Sequence, residues 1–588
     1  MNISEIIEES GLMTASETII DFGKDAFGWL EVELTGKGGE EVELAIGEVI
    51  RDGRINRDPG GFRCFRKMNL ILREGTHTYR FEIPPHVAPN PALPKCYPPE
   101  EAGGEIAPFR YAEIRGYSGA FKAVRHAVFA PFDDNAADFR CSDERLNRIW
   151  EFCKYSIKAT TAFGMYVDGE RERLPYEGDA YINQLGHFCC DADYDMARRT
   201  IEYFFGHPTW PTEWRLITVL LARDYGLYSG DEESIRRWMP ELKEKLLLNH
   251  AGPDLLIRGT QDVRDIVDWP VGERDGYEFG EVNLVPNCYH YGALLAMYEL
   301  SREEWYLRRA AEVKQAIRGS MLKNGLFVDH PGSTHTSLHS AMFAIRFGVA
   351  DAAEYPALVS VIRSRGMACS VYGAQFLLEA CYRCGLADHA LALMVGGGLR
   401  SWRNMLDKGA TITMEAWDDS LKPNQDWNHA WGAAPANIIP RGLCGIRPLS
   451  PGFGMFDVNP QIASLSSVSL RQPTKHGPIE LEIQNGRMEL AVPEGTRGKP
   501  EQMGKIKSGI ARILSLRPEV KYIPVFMTGM GRSLPKGKMI LLPYKASIYY
   551  GMPALVKNTD THEILEQITS DFERMKEKYQ VVIDEEEE

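Results

Sequence analysis

Several things are scarce in this 588-residue chain, and each scarcity removes a class of function. There is no surplus of positive charge: 67 Lys and Arg face 82 Asp and Glu, for a net charge of −15. Phosphate backbones and anionic membranes require a basic surface, so neither nucleic acid nor membrane is expected as a partner. No run of about 18 apolar residues occurs, so no membrane span is expected. The start, Met1 to Ser10, lacks a basic region followed by an apolar run, which predicts a cytoplasmic chain without a signal peptide. The 11 cysteines follow no framework spacing, and the adjacent Cys189 and Cys190 pair poorly with each other. Buried free thiols in a reducing compartment are the expectation. No cysteine–histidine pattern has zinc spacing, so neither a metal nor a cofactor is expected, and Cys153, Cys288, His335 and His339 read as packing or loop residues.

What remains is an ordinary globular composition, 44% hydrophobic and 25% charged, in a chain too long for one core. From residue 18 to about 130 the pattern is β: Leu30, Val32 and Leu34 alternate with Glu31 and Glu33, and Val42, Leu44 and Ile46 with Glu41 and Glu43. Pro84 to Pro99 reads as a long loop. From about residue 142 the period becomes helical, with expected helices including 143–158, 181–190, 196–205, 214–228, 235–248, 286–300, 303–317, 372–384 and 389–394. Roughly a dozen helices in sequential hairpins suggest an α-toroid, whose sites lie on connecting loops at one end of the ring. Strand alternation returns at Ile479, Leu481 and Ile483, and Asn485-Gly486 signals a type I′ hairpin. The last helix carries Ile564, Leu565, Ile568, Phe572, Met575 and Tyr579 on one face, before an acidic end at 584–588 that reads as disordered.

Two stretches carry chemistry. Asp168 to Asp179 (DGERERLPYEGD) sets five carboxylates and two arginines around Pro175 and Tyr176, after a mostly uncharged stretch. A solvated helix face is the bland reading, but Pro175 breaks any helix. Acids and cations on an irregular turn suit a sugar site, with one carboxyl protonated and others accepting from hydroxyls. Far downstream, Glu415 sits among Trp417, Trp427 and Trp431, with His429 nearby. Indole faces pack on sugar C–H faces, and a carboxylate among them can activate water, although tryptophan-rich segments are also often core. Two such clusters in one chain favour an acid-and-base pair.

These motifs resemble glycoside hydrolase family 78, the α-L-rhamnosidases, over residues 18 to about 493. The residues that carry the resemblance are Asp21 to Trp29 (DFGKDAFGW), Phe109-Arg-Tyr111, the Asp168–Asp179 motif, Asp268-Trp-Pro270, Glu415-Ala-Trp417 and Asn428-His429. The resemblance implies an (α/α)6 barrel, and with the periodicity above the expected organisation is a multidomain α+β chain: an N-terminal β-sandwich (1–138), the central (α/α)6 barrel (139–447), a truncated C-terminal β-sandwich (448–496) and a mixed α/β tail (497–588). It implies an inverting hydrolase releasing terminal α-L-rhamnose, with a small carbohydrate as substrate, Glu172 as general acid and Glu415 as general base. Asp168, Arg171 and Asp179 match positions that hold sugar hydroxyls, Trp269 an aromatic that packs on the sugar, and His429 a ligand contact; Tyr176 and Trp417 complete the expected substrate-binding set. The interval from Asp168 to Glu172 is shorter than the family's usual run, which leaves Glu170 as an alternative acid. The family's usual tryptophan is replaced by Tyr176. A barrel hydrolase for another deoxy or uronic sugar, or a non-catalytic sugar-binding relic, stays open.

The tail resembles something else. Pro493 to Gly498 (PEGTRG), Lys505 to Ala511 and Ile523 to Gly529 are similar to the second half of 1-acylglycerol-3-phosphate acyltransferases. That family's His-x4-Asp pair occurs nowhere in the chain, so acyltransferase activity is not expected. The changeover near residue 493 reads as a junction, by gene fusion or by sequence assembly.

Overall fold

The computed structural model describes residues 5–13, 19–88, 94–491, 509–528 and 547–584. The first unit is a seven-stranded antiparallel sheet in the order Glu5–Met13, Phe121–Phe129, Ile19–Lys37, Ala107–Arg115, Glu41–Gly47, Phe65–Ile71, with Glu74–Arg80 also paired to Ile19–Lys37. The 19-residue strand Ile19–Lys37 is its spine. Its first part pairs with Ala107–Arg115 and its last part with Glu74–Arg80, with a register shift between Asp21 and Ala26. This change of neighbour lets the sheet fold over a core of Leu30, Val32, Leu34, Leu44, Ile46, Phe81, Phe109 and Ile114. The alternating residues are therefore buried as expected. The strand Glu5–Met13 lies ahead of the β region read from the sequence and pairs along its whole length with Phe121–Phe129.

The helical part winds as six outer–inner pairs: Glu144–Ala159 with Glu177–Cys190, Asp195–Gly206 with Thr212–Ser229, Glu232–Glu244 with Leu284–Ser301, Glu304–Met321 with Leu338–Phe347, Tyr355–Arg365 with Val371–Arg383, and Ala387–Val395 with Pro435–Ile438, the last continued by a π-turn at Ile439–Leu443. The distinction is one of burial. Every residue of Glu177–Cys190 is buried, whereas Glu232–Glu244 buries only Ser234, Ile235, Trp238 and Leu242 along one stripe. Helices Leu338–Phe347 and Tyr355–Arg365 escaped the sequence reading. The helix expected over 235–248 ends at Glu244, followed by a 3-10 turn at Leu248–His250.

Because each inner helix follows its outer partner in the same sense, the inner N-termini share one end of the barrel. The segments 160–176, 207–211, 251–283, 328–337, 366–370 and 408–434 all enter inner helices there. Partial positive charge at helix N-termini makes that end hospitable to carboxylates.

Strand Asp138–Cys141, just before the first barrel helix, pairs with Ser467–Gln472, which continues through Ile479–Gln484 to Arg487–Ala491. Asn485 and Gly486 both have positive φ, 51° and 77°, as a type I′ turn requires. Beyond, helix Gly509–Leu516, the paired strands Val525–Thr528 and Ser547–Tyr550, and helix Thr561–Asp584 enclose a small core of Ala511, Leu514, Val556, Ile564 and Ile568. Ile513 instead joins the main core of the barrel. Residues 493–498, most of 505–511, the side chain of Tyr579 and the acidic end at 585–588 lie outside the described residues. All 11 cysteines are free. Among the described residues no helix is long and apolar enough to cross a membrane.

Candidate active site

The loop that carries the first acidic cluster is folded on itself. The Asp168 N–H donates to the Leu174 carbonyl, and Asp168 Oδ1 accepts from the Leu174 N–H, both at 2.9 Å. Gly169 sits at φ +129°, and a Cβ there would lie 2.7 Å from Asp426 Oδ2 and 2.8 Å from the Asn428 carbonyl oxygen. The loop is thus pressed against the 426–429 segment, which brings together residues some 250 positions apart.

Arg171 is the hub. Its guanidinium donates to Glu415 through Nη2 at 2.7 Å and Nε at 3.2 Å, and to Glu172 through Nη1 at 2.5 Å. Its backbone N–H donates to Asp426 Oδ2 at 3.0 Å. One planar cation therefore bridges the two carboxyls that the sequence singled out, in the bidentate geometry for which guanidinium is suited. Lys422 Nζ lies 3.3 Å from Glu415 Oε1. Glu415 is buried, while Glu172 is part-exposed. The Tyr176 hydroxyl donates to the other oxygen of Glu172, and its ring meets Trp214 edge-on, with centroids 5.7 Å apart.

His429 joins the second pair of acids. Its Nδ1 is 3.0 Å from Asp426 Oδ1 and its Nε2 is 2.8 Å from Asp179 Oδ1, with Asp179 in the first turn of Glu177–Cys190. Burial works against charge on the ring, but Asp426 and Asp179 outweigh it and hold His429 well above histidine's ordinary range. Burial likewise opposes the charge of Asp426, and His429 and Arg171 hold it below the usual carboxylate range all the same. Burial pushes Asp168 well above that range, against the pull of His429 and Arg171. Asp168 Oδ2 has no hydrogen-bond partner among the described residues.

The remaining expected residues fall elsewhere. Glu170 turns away from Glu172 and is held by Arg173, at 2.8 Å through Nε and 3.1 Å through Nη2, while Arg173 also reaches Glu105 of the sandwich at 2.6 Å. Burial raises the Glu170 carboxyl to about 7, a value that would suit an acid. Unlike Glu172, however, it shares no cation with Glu415: both of its oxygens are on Arg173, which also holds Glu105. Trp269 is half-buried; its backbone N–H donates to Asp268 Oδ1, and Asp268 is in turn 2.7 Å from His339 Nε2. Trp417 is fully buried, edge-on to Trp402 at 5.0 Å, with its indole N–H on the Cys369 carbonyl. It is packed into the wall, apart from the polar cluster. Lys422 carried no signal in the sequence, and Asp426 and Asn428 stood inside quoted motifs without a role.

Glu415, Asp426 and His429 bring potential ligand atoms within 4.8 Å of one another. They do not fit a metal ion: Arg171 and Lys422 already supply positive charge to Glu415, and both ring nitrogens of His429 face carboxylates.

Comparison with known proteins bears on this arrangement. Over 544 residues the chain is 21% identical to an α-L-rhamnosidase of Formosa agariphila, covering 81% of this chain and 54% of that protein. A second α-L-rhamnosidase, from Alteromonas sp. (strain LOR), is 20% identical over 82% of this chain and 55% of its own length. The chain thus spans about half the length of these relatives. Among solved structures, the family 78 rhamnosidase of Bacillus sp. GL1 superposes with a TM-score of 0.65 at 20% identity, over 82% of this chain and 53% of the other. The Streptomyces avermitilis α-L-rhamnosidase complexed with L-rhamnose gives 0.64 at 15% identity, over 83% and 49%. These likenesses show a shared fold. The concanavalin-like domain of bacterial α-L-rhamnosidases matches residues 12–86, and their six-hairpin glycosidase domain matches residues 134–443, more than half of the chain. The chain belongs to the bacterial α-L-rhamnosidase family.

Proposed function

We propose that this protein is an inverting glycoside hydrolase that releases terminal α-L-rhamnose from an oligosaccharide or glycoside, with Glu172 as general acid and Glu415 as general base. The observation that carries this reading is the Arg171 guanidinium lying between the two carboxyls. An inverting mechanism needs a gap of about 6.5–9.5 Å between them for its water, and the guanidinium keeps the two carboxyls out of direct contact. Glu415, fixed by Arg171 and Lys422, draws a proton from water attacking C1. Glu172 gives its proton to the glycosidic oxygen on the other face, which requires the donors now on Glu172 to yield to the substrate; such contacts commonly rearrange on binding. Asp168 offers its unpartnered Oδ2 to a sugar hydroxyl, and Asp179 is oriented by His429. Trp269 and Tyr176 supply aromatic surface. The 11 free thiols support a reducing, cytoplasmic setting.

The test is hydrolysis of p-nitrophenyl α-L-rhamnopyranoside, with the first-formed anomer followed by NMR. Wild type should turn over with inversion, and Glu415→Gln and Glu172→Gln should each lose roughly 10²–10⁴-fold in kcat. Glu170→Gln should keep kcat within about tenfold but melt earlier, since removing one partner of a buried ion pair costs about 3–5 kcal/mol. Activity lost in Glu170→Gln but kept in Glu172→Gln would move the acid. Turnover only of other aryl glycosides would assign another deoxy or uronic sugar, and sugar binding without turnover would indicate a relic.

A further inference from the structure

We infer that Glu48, in the N-terminal β-sandwich, is a positioning residue for the barrel's acid loop and acts through Asn428. Glu48 follows strand Glu41–Gly47 and is 7% exposed. Its Oε1 accepts from Asn428 Nδ2 at 2.9 Å, across 380 residues of sequence, and its Oε2 accepts from the Cys64 N–H. Asn428 is completely buried, and its Oδ1 accepts from the Glu170 N–H at 2.7 Å.

The logic lies in the asymmetry of an amide. Asn has a donor end and an acceptor end of nearly the same shape, so an isolated Asn428 could present either to the loop. Glu48 claims the donor end, which leaves the acceptor for the Glu170 N–H. Reversed, the amide would set an NH2 against that N–H and a carbonyl against the Glu48 carboxyl, leaving buried groups unsatisfied. The next N–H, of Arg171, goes to Asp426 Oδ2 at 3.0 Å. Two consecutive amides immediately before Glu172 are thus held by side chains of the 426–429 segment, and a residue from another domain sets which way one of them points.

The neighbourhood is built to hold that contact. The Phe62 N–H donates to the Gln425 carbonyl at 3.0 Å. Arg63 lies over the Trp427 ring at 4.7 Å and pairs with Asp419 at 2.6 Å. The Asp25 N–H donates to Thr411 Oγ1 at 2.8 Å, and the Tyr155 hydroxyl to the Asp25 carbonyl at 2.6 Å. Glu48 needs no cation of its own, because burial and the adjoining Asp25 both favour its neutral form, and its hydrogen bond with Asp25 takes up that proton and leaves Oε1 to accept from Asn428. A neutral carboxyl can sit against an amide inside the molecule at modest cost.

The inference rests on the assignment of Glu172 to the reaction, so the experiment has two arms, both on the full chain. In the kinetic arm, Glu48→Ala should lower kcat on p-nitrophenyl α-L-rhamnopyranoside by about 10–100-fold, the scale of a small misplacement of a reacting group. KM should stay within about threefold. Glu48→Gln, which can still accept from Asn428 Nδ2, should recover most of the loss. The double variant Glu48→Ala/Asn428→Ala should be no slower than Asn428→Ala alone. Wild-type kcat in a folded Glu48→Ala, or additive losses in the double variant, would overturn the inference. The second arm needs no turnover: in folded Glu48→Ala, the amides of Glu170 and Arg171 should exchange with deuterium faster than in wild type while those of the inner helices do not. Unchanged exchange at those two amides would overturn the inference even if the rhamnoside assay fails for every variant, a failure that would count against Glu172 itself.

Discussion

Gly169 shows how little freedom the acid loop has. Its φ of +129° lies where only glycine is comfortable, and a methyl would meet Asp426 Oδ2 at 2.7 Å. Gly169→Ala is therefore expected to cut kcat at least about tenfold, and a stopped assay at 25 °C with circular dichroism as a folding control checks it. Trp417 makes the opposite case. Beside Glu415 in sequence it reads as a sugar platform, yet its ring lies against Trp402 and its N–H on the Cys369 carbonyl. Indoles in a core and indoles in a subsite look alike in sequence, since burial belongs to the partner elements. Trp417→Ala should cost about 3–5 kcal/mol of stability, read as a fall in the denaturant midpoint. The two acidic clusters that hold Glu172 and Glu415 stand out in the sequence because each is local. Arg171 as a bridge was half legible, and Lys422 was not, because its role exists only where two distant loops meet.

At the scale of elements, the inner helices are held at the end remote from the carboxylates by an ion-paired group. Arg346, near the end of Leu338–Phe347, donates to Glu379 at 2.7 Å, and Arg441 donates to the other Glu379 oxygen at 2.9 Å. Burial opposes the charge of Glu379, but the two guanidiniums outweigh it and hold its carboxyl down to about 2 from an ordinary 4.5. A depressed carboxylate contributes stability that is fully present above about pH 4.5 and fades as pH falls towards 2. Glu379→Gln should accordingly melt well below wild type at pH 7, and the gap should narrow as pH drops through 4.5, as thermal melts across pH 7 to 3 would show. Helical and strand periods made most of these elements visible in the sequence. The short helix Leu338–Phe347 escaped because, buried at every position except Arg346, it carries no solvent-facing polar stripe to set against an apolar one.

For the whole molecule, the described residues from 509 onward stand partly apart from the barrel. The tail encloses its own small core, yet Ile513 is seated in that of the barrel. A chain ending at residue 491 should fold but melt a few degrees lower than the full chain, and equal melting temperatures would mean the tail lends no support. The seam between Asp138–Cys141 and Ser467–Gln472 has a temporal consequence. The strand that opens the ring is among the first segments of it to leave the ribosome, and its partner is made after every barrel helix. Through most of its synthesis the emerging chain presents an unmated strand and half-built layers of apolar helix. Contacts that must close over hundreds of residues form slowly, so during synthesis the unmated edge and the half-built helix layers stay open to wrong partners until Ser467–Gln472 has emerged.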